Sequence, residues 1–450
     1  MNSLPVLIVG GGIVGLTLAQ ALQKAQIPYQ IFERDASAAH ATEGWGLTIH
    51  WALRAFESCL PPETFNRLRD VQVDVQQGDN DTGRFLFLDL ATAEPKYVIP
   101  PSKRTRVHRR KLRALLADGL PVHWNKQIHS YTQTSGSILA HFEDGTMAEG
   151  CLLVGADGSS SRVRRLLFAG TEQAQLNQLP ARFVGVTVRL TPSKAKVLRD
   201  IDPLLFQGSH PETGVYLWYS TLSTPETNGS IADDVEYYEG QLMMSWLHRS
   251  EADDVPESNR ERVMKMKIMA QNFEDRLRNA VWDIPDDIVV QEIRLQDWPP
   301  QEWNNIDGRV TLVGDAAHAM TMYRGEAFNH GITDAAKLSE GIVEALKDGF
   351  DPDRLEAAVE TYESEMRERT HPAVLLSRQA CLDAHDINNL GPDSPLVSRR
   401  SKSQEPGIKT SPSSSTDAEM KDAGTSTLFN NKFSYLDNNP IRHYHHWPKK

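Results

Sequence analysis

The sequence predicts an α/β fold: a parallel sheet with helices on its faces, a second and mostly β part inserted into it, and helices toward the C-terminus. Three apolar strands that each run into small or glycine-rich turns carry this reading. Pro5-Val-Leu-Ile-Val9 leads into Gly10-Gly11-Gly12-Ile13-Val14-Gly15 and a helix bearing Leu16, Leu18, Ala19 and Leu22. Cys151-Leu-Leu-Val-Gly155 leads into Ala156-Asp157-Gly158, and Val310-Thr-Leu-Val313 into Gly314-Asp315-Ala-Ala-His318. A strand, a helix and a further strand at Tyr29-Gln-Ile-Phe-Glu33, in that order, describe a βαβ unit and hence a parallel sheet.

In the first junction, Gly10 permits a tight turn, Gly12 lets a pyrophosphate approach the backbone, and Gly15 lets helix and strand pack closely. Phosphates would lie on the exposed N–H groups at the positive helix end. Glu33 closes the second strand eighteen residues after Gly15, where a carboxylate meets a ribose 2'-hydroxyl and favours an unphosphorylated ribose. Strand, glycines, helix, strand and terminal acid together form a dinucleotide fingerprint. In the second junction, Ile138–Phe142 and 147–154 read as a hairpin around Asp144-Gly145. Asp157-Gly158 then ends the strand, followed by Ser161, Arg162 and Arg164. In the third, Gly314 and the Ala316-Ala317 pair let a ligand come close, and Asp315 can accept a hydrogen bond from a hydroxyl.

Taken in order, these junctions resemble the class A FAD-dependent aromatic monooxygenases of the para-hydroxybenzoate and salicylate hydroxylase type, with the character of a fungal secondary-metabolism member. The resemblance spans about residues 5 to 380 and is only general between 170 and 285. It implies that Gly10, Gly12, Gly15 and Glu33 bind the ADP half of FAD, that Asp157 and Gly158 lie near the pyrophosphate and nicotinamide path, and that Asp315, after Gly314, holds the ribityl chain. Arg109, in Val107-His-Arg109-Arg-Lys-Leu112, matches a flavin-contacting arginine, although read alone it is a solvated residue on a basic helix. Gly46 lies in Gly44-Trp-Gly46-Leu-Thr-Ile-His50-Trp51, a segment expected to pass the flavin, and Ala327 and Phe328 stand in the loop beside the ring.

The implied activity is oxygenation of an electron-rich aromatic or polyketide-like molecule, by hydroxylation or a related oxygen insertion. A reduced nicotinamide, NADH or NADPH, reduces FAD, and O2 adds to give a C4a-hydroperoxyflavin. No second GxGxxG unit exists for the nicotinamide, which suits transient binding. His50 is the candidate base for deprotonating a phenol. Tyr219 is a second catalytic candidate: Tyr216 and Trp218 share one face of a strand and Tyr219 takes the other, so either face can line a pocket or pack a core. The chain departs from the family after His318. Met322 stands where a proline is usual, Ala327 where a glycine is, and Arg324 and Glu326 add charge, read either as altered substrate handling or as a salt bridge. The alternatives are a flavoprotein of the same fold with other redox chemistry, and a non-catalytic FAD-binding protein.

Composition agrees. With 48 basic and 60 acidic residues among 450, a net charge of -12 argues against nucleic acid as partner. The three cysteines, Cys59, Cys151 and Cys381, have no metal or disulfide spacing, so no metal site is expected. No signal peptide or membrane-length apolar run is seen, which points to the cytoplasm; the oligomeric state is not specified.

Residues 1–75, 100–170 and 285–385 are assigned to a Rossmann-like FAD-binding domain, and 76–99 and 171–284 to a β-sheet substrate domain. In the latter, Arg182–Arg189, Gly214–Tyr219 and Gln241–Trp246 read as strands and Asp253–Ala280 as one long polar helix. Residues 386–450, rich in Ser, Pro, Asp, Lys and Asn, read as a disordered tail. Its Arg399-Arg400-Ser-Lys402 run and its His443, His445 and His446 read as solvated groups.

Overall fold

The computed structural model describes residues 4–37, 44–134 and 136–398. A five-stranded sheet runs in the order Val310–Leu312, Leu152–Gly155, Val6–Val9, Tyr29–Phe32, Val122–His123. Every pairing in it is parallel. Such strands are covered on both faces and therefore read as continuous apolar runs; Val6, Leu7, Ile8 and Leu152 to Val154 are fully buried. Register sets Val9 beside Gly155 and Phe32, and Gly155 beside Leu312. The three strands with glycine-rich turns thus end together, at the carboxyl edge of the sheet where α/β folds bind ligands.

Helix Ile13–Lys24 packs on this sheet and on Ala327–Leu346, and the 32-residue helix Pro352–Asp383 packs on the latter. The anticipated hairpin forms between Ile138–Phe142 and Met147–Gly150, with Gly145 in the left-handed region at φ 80°. The run expected to continue to residue 154 breaks at Cys151, and Leu152–Gly155 joins the parallel sheet instead. Gly150 fits here because a Cβ would come within 2.5 Å of Leu7 and Pro5.

A seven-stranded sheet is ordered Gln291–Glu292, Ala181–Leu190, Tyr238–Leu247, Tyr216–Ser223, Leu205–Ser209, Phe85–Asp89, Pro95–Ile99. The strand at 291–292 carries this sheet past the boundary of 285 expected from sequence. One face packs under helices Pro192–Arg199, Asn259–Met269 and Asp275–Trp282 through Val186, Leu217, Leu242, Leu198, Met266 and Leu277. The last two helices replace the single long helix expected from 253 to 280. Ser258 caps the first and Glu274 the second, and the Glu274 N–H bonds to Leu90 O instead of continuing a helix.

The other face of the sheet carries Phe183, Tyr216 and Met243, packed with Tyr323 and Cys381. Ile387, Leu390, Leu396 and Val397 join this cluster. The segment 386–398, assigned by composition to the tail, is therefore core; its apolar residues are few but spaced to dock. The basic run at 399–402 and the three tail histidines lie outside the described residues. All three cysteines are buried free thiols, and among the described residues no helix is long and apolar enough to cross a membrane.

Candidate active site

The glycine turn after the first strand is fixed by backbone contact. Gly10 has φ 119°, and a Cβ on it would sit 2.3 Å from Ala156 O; a Cβ on Gly15 would sit 2.0 Å from Gly10 O. Gly12 begins the helix and faces open space, as a turn that receives a phosphate must. Glu33 is buried and already engaged: its Oε2 accepts the Gly11 N–H at 2.5 Å and its Oε1 the Asp35 N–H at 2.9 Å. Arg113 closes the corner, donating to Gly11 O at 2.8 Å and pairing with Asp35 at 3.0 Å. A carboxylate has room for one further donor such as a ribose hydroxyl.

The Asp157 carboxylate is engaged within its own turn. It accepts the Ser161 hydroxyl and the N–H groups of Arg162 at 2.6 Å and Val163 at 3.2 Å. It thus satisfies the first two N–H groups of helix Arg162–Leu167, whose N-cap is Ser161, and it precedes the turn at Gly158, where φ is 76°. Arg164, almost fully buried, donates to the carbonyls of Ser159 and Ala174 and, at 3.0 Å, to that of Ala316. It ties the Asp157 turn to the Asp315 turn.

Gly314 adopts φ 63° and ψ -142° and starts the short helix Asp315–His318. Its N–H donates to Asp334 at 2.7 Å; the same carboxylate meets His318 at 2.5 Å and Arg369 at 2.8 Å. Burial alone would raise the Asp334 pKa, but His318 and Arg369 overcome it and hold the group well below its ordinary range. Val14, from the first helix, fills the space beside Gly314 and Gly331, whose added Cβ atoms would lie 3.1 and 2.6 Å from it.

Asp315 itself accepts no side-chain or backbone hydrogen bond among the described residues and is exposed. Desolvation raises its pKa, opposed by His318, Arg109 and Arg164. The Arg109 guanidinium likewise has no partner among the described residues; burial lowers its pKa, with Arg113 adding to this and Asp315 opposing it. Asp315 and the unfilled turn at Gly12 both follow strands that end at the carboxyl edge of the parallel sheet, and Arg109 lies within electrostatic reach of Asp315, Asp35 and Glu33. These residues fit FAD: hydroxyls for Asp315, phosphates for Gly12 and negative charge for Arg109.

Strand Gly46–Ile49 pairs with Thr105–His108. A Cβ on Gly46 would lie 2.4 Å from the Arg106 guanidinium, so the space beside this glycine is taken by that side chain. Asn329, buried in the first turn of helix Ala327–Leu346, accepts the His50 N–H at 2.8 Å and donates to Thr48 O at 3.1 Å and Gly325 O at 3.2 Å. His50 thereby lies against Gly325, whose added Cβ would stand 3.9 Å from Nε2. Ala327 and Phe328 occupy the helix start, where no side chain caps the free N–H groups.

Between this strand end, the turn Met322–Arg324 and the seven-stranded sheet lies a cavity lined by Thr48, His50, Phe85, Trp218, Tyr323 and Gly325. Arg324 and Glu326 face each other at 2.6 Å, both buried, and Arg324 also donates to Pro395 O. The extra charges are thus a pair that ties the turn to segment 386–398. Trp218 faces the cavity. Tyr219, on the opposite side of the strand, is buried against Phe206, 5.1 Å between rings, under the helices, and its hydroxyl reaches only Thr221 at 3.5 Å. That places Tyr219 in the core, on the strand face opposite the cavity.

Asp334, Arg164, Arg113 and Asn329 join the motifs to each other. Arg164 is visible as an offset from Asp157, Arg113 closes the Val107–Arg113 run and Asn329 the stretch after His318 without a role being read for either, and Asp334 carries no motif of its own.

A family profile described as FAD binding domain matches residues 3–375. The FAD-dependent monooxygenase dbaB of Emericella nidulans is 55% identical over 347 residues, covering 76% of this chain and 88% of its own length. The FAD-dependent monooxygenase tazP of Aspergillus terreus is 35% identical, with 74% and 87% covered. The structure of 2,6-dihydroxypyridine-3-hydroxylase from Arthrobacter nicotinovorans superposes with a TM-score of 0.69 at 17% identity, over 90% of this chain and 99% of that one. Klebsiella pneumoniae HpxO, complexed with FAD and uric acid, gives 0.66 at 16%, over 87% and 90%. The chain belongs to the FAD-binding domain family and is an FAD-dependent monooxygenase.

Proposed function

We propose that the chain uses NADH or NADPH together with O2 to hydroxylate, or insert oxygen into, an aromatic or polyketide-like small molecule in the cytosol. One observation carries this reading: the cavity beside His50 and Trp218 is walled on one side by the turn at Tyr323–Gly325 and on the other by strands of the seven-stranded sheet. When bound, FAD supplies hydride acceptance and oxygen activation. The parallel-sheet part, with Gly12 at the pyrophosphate, Glu33 at the adenosine ribose, Asp315 at the ribityl hydroxyls and Arg109 as a nearby cation, holds it.

The free N–H groups at Ala327 and Phe328 offer positive potential to an anionic ring. Phe85, Trp218 and Tyr323 wall the cavity with aromatic surface that limits water. We assign to His50 the removal of a proton from a substrate hydroxyl, a role supported by its position in the cavity lining.

Purified protein is expected to be yellow, and a suitable phenol to accelerate NAD(P)H oxidation. His50→Ala should lower kcat and flatten its pH profile with FAD retained. A protein that stays colourless after incubation with FAD, or whose NAD(P)H oxidation no phenol changes, contradicts the reading.

A further inference from the structure

Arg106 is the least explained charge in the molecule. It is 5% exposed, stands on strand Thr105–His108, and has no carboxylate partner among the described residues. Two of its nitrogens are engaged, Nη1 with Thr48 Oγ1 at 2.9 Å and Nη2 with Ser220 Oγ at 2.8 Å, whereas Nε has no partner. Next to it, Gln241 is fully buried and accepts the Gly46 N–H at 2.9 Å, but its amide Nε2 donates to nothing among the described residues. Both residues touch Ser220 and the Gly46 backbone. Thr48 and Trp218, over whose ring Arg106 lies at 6.0 Å, line the cavity.

A buried guanidinium without a counter-ion is strongly unfavourable unless something compensates it. Every neutral partner here is a hydroxyl, and the remaining groups are donors. Such a corner lacks one thing, an oxygen carrying negative charge. Arg104, close by, has its own carboxylate in Asp81 at 2.7 Å, so that anion does not serve Arg106. Desolvation and the nearby Arg104 pull the Arg106 pKa down to about 9, the direction expected of a cation awaiting an anion.

We infer that Arg106, with Gln241 and Ser220, is the recognition point for an anionic oxygen on the substrate, a phenolate, enolate or carboxylate, and so selects acidic aromatic or polyketide-like molecules. This rests on the proposed monooxygenase activity and adds to it the charge of the substrate. Pairing with a guanidinium favours the ionised form of a phenol, whose proton passes on binding to His50 and from there to solvent. The ring so held is the electron-rich one that oxygen transfer requires.

The test uses FAD-loaded protein and two probes: 4-nitrophenol, whose ionised form absorbs visibly, and its neutral methyl ether 4-nitroanisole, each titrated below the solution pKa of the phenol. Wild type should bind the phenol in ionised form and more tightly than the ether. Arg106→Met should weaken the phenol about ten- to a hundredfold, leave the ether unchanged and abolish the ionised spectrum. Gln241→Glu supplies an internal counter-ion, keeps the Gly46 contact and should raise Tm while removing the same preference, which guards against a misfolded Arg106 variant. Arg106→Lys should fall between.

Equal binding of phenol and ether by wild type, or an unchanged preference in Arg106→Met and Gln241→Glu, overturns the inference. If Arg106→Met instead releases FAD with the probe preference intact, the anion is the flavin's and the assignment to substrate falls. An intact probe preference with no NAD(P)H oxidation stimulated by any phenol overturns the proposed function and leaves the anion site standing.

Discussion

The two walls of the cleft are built on different principles. On the parallel-sheet side the turns are set by backbone: Gly10, Gly15 and Gly314 are defined by positive φ or by contacts with main-chain atoms or Val14. On the seven-stranded side, the cavity is made by side chains from separated segments, Thr48 and His50 with Trp218 and Tyr323. The first kind of site is local in sequence and tolerates little change. The second is assembled by the fold and is free to vary, and there a common cofactor scaffold acquires its own substrate.

Removing a group that holds the first wall together should have the largest effect. Asp334→Asn takes one charge from a buried cluster of His318, Arg369 and the Gly314 N–H, and about 3–5 kcal/mol of stability should go with it. A guanidinium titration should show a lower midpoint with an unchanged slope. FAD retention should fall as well, because the Gly314 turn loses its anchor.

A paired glycine experiment separates the walls. Gly15→Ala drives a Cβ to 2.0 Å from Gly10 O, a backbone atom that cannot step aside, whereas Gly185→Ala meets the end of the Trp45 ring at 2.9 Å. The first should cost about 1–3 kcal/mol and the second under about 1. Comparable losses would show that the side-chain wall is as rigid as the backbone one.

Acid should test both walls at once. Burial first, then Arg110 and Lys111, lower the His108 pKa to about 4, and burial lowers that of His385 to about 4. Burial also pulls His330 well below its ordinary value. All three are neutral when folded, and the unfolded chain takes up protons below 6.5. Stability should be complete above pH 6.5 and fall continuously as pH drops toward 4. His108 lies on the cofactor side and His385 against the large sheet, so one cooperative transition across this range is expected from calorimetry. Two transitions would mean that the walls unfold separately.

The smallest effect should come from Tyr219→Phe. Its hydroxyl makes one 3.5 Å contact, so stability should change by less than about 1 kcal/mol, with turnover unaffected.

The same contrast explains what could be read from the chain. Strand ends with glycines at fixed offsets announce the parallel sheet and the cofactor groove, because those residues answer to their immediate neighbours. Asp334 was illegible: it lies on helix Ala327–Leu346, where an Asp in a mostly apolar helix gives no hint that His318, sixteen residues earlier, and Arg369, thirty-five later, converge on it. Asp157 sat in a recognisable motif, yet its carboxylate satisfies the first two N–H groups of the next helix, a use that the motif does not disclose. The alternation of Tyr216, Trp218 and Tyr219 was plain, but which face meets the cavity depends on the helices from 192 to 282 that cover the other. Arg324 and Glu326 were readable as charges; only their burial together with Pro395 shows them closing a turn.

The central claim is that the open acceptor at Asp315, the free Arg109 and the bare turn at Gly12 form one cofactor groove. A crystal structure of the chain with FAD bound tests this most directly. The ribityl hydroxyls are expected within hydrogen-bonding distance of the Asp315 carboxylate, the pyrophosphate against the N–H groups after Gly12, and the ring edge at Ala327 and Phe328. FAD seated elsewhere, or an Asp315 carboxylate still without a donor, would contradict it.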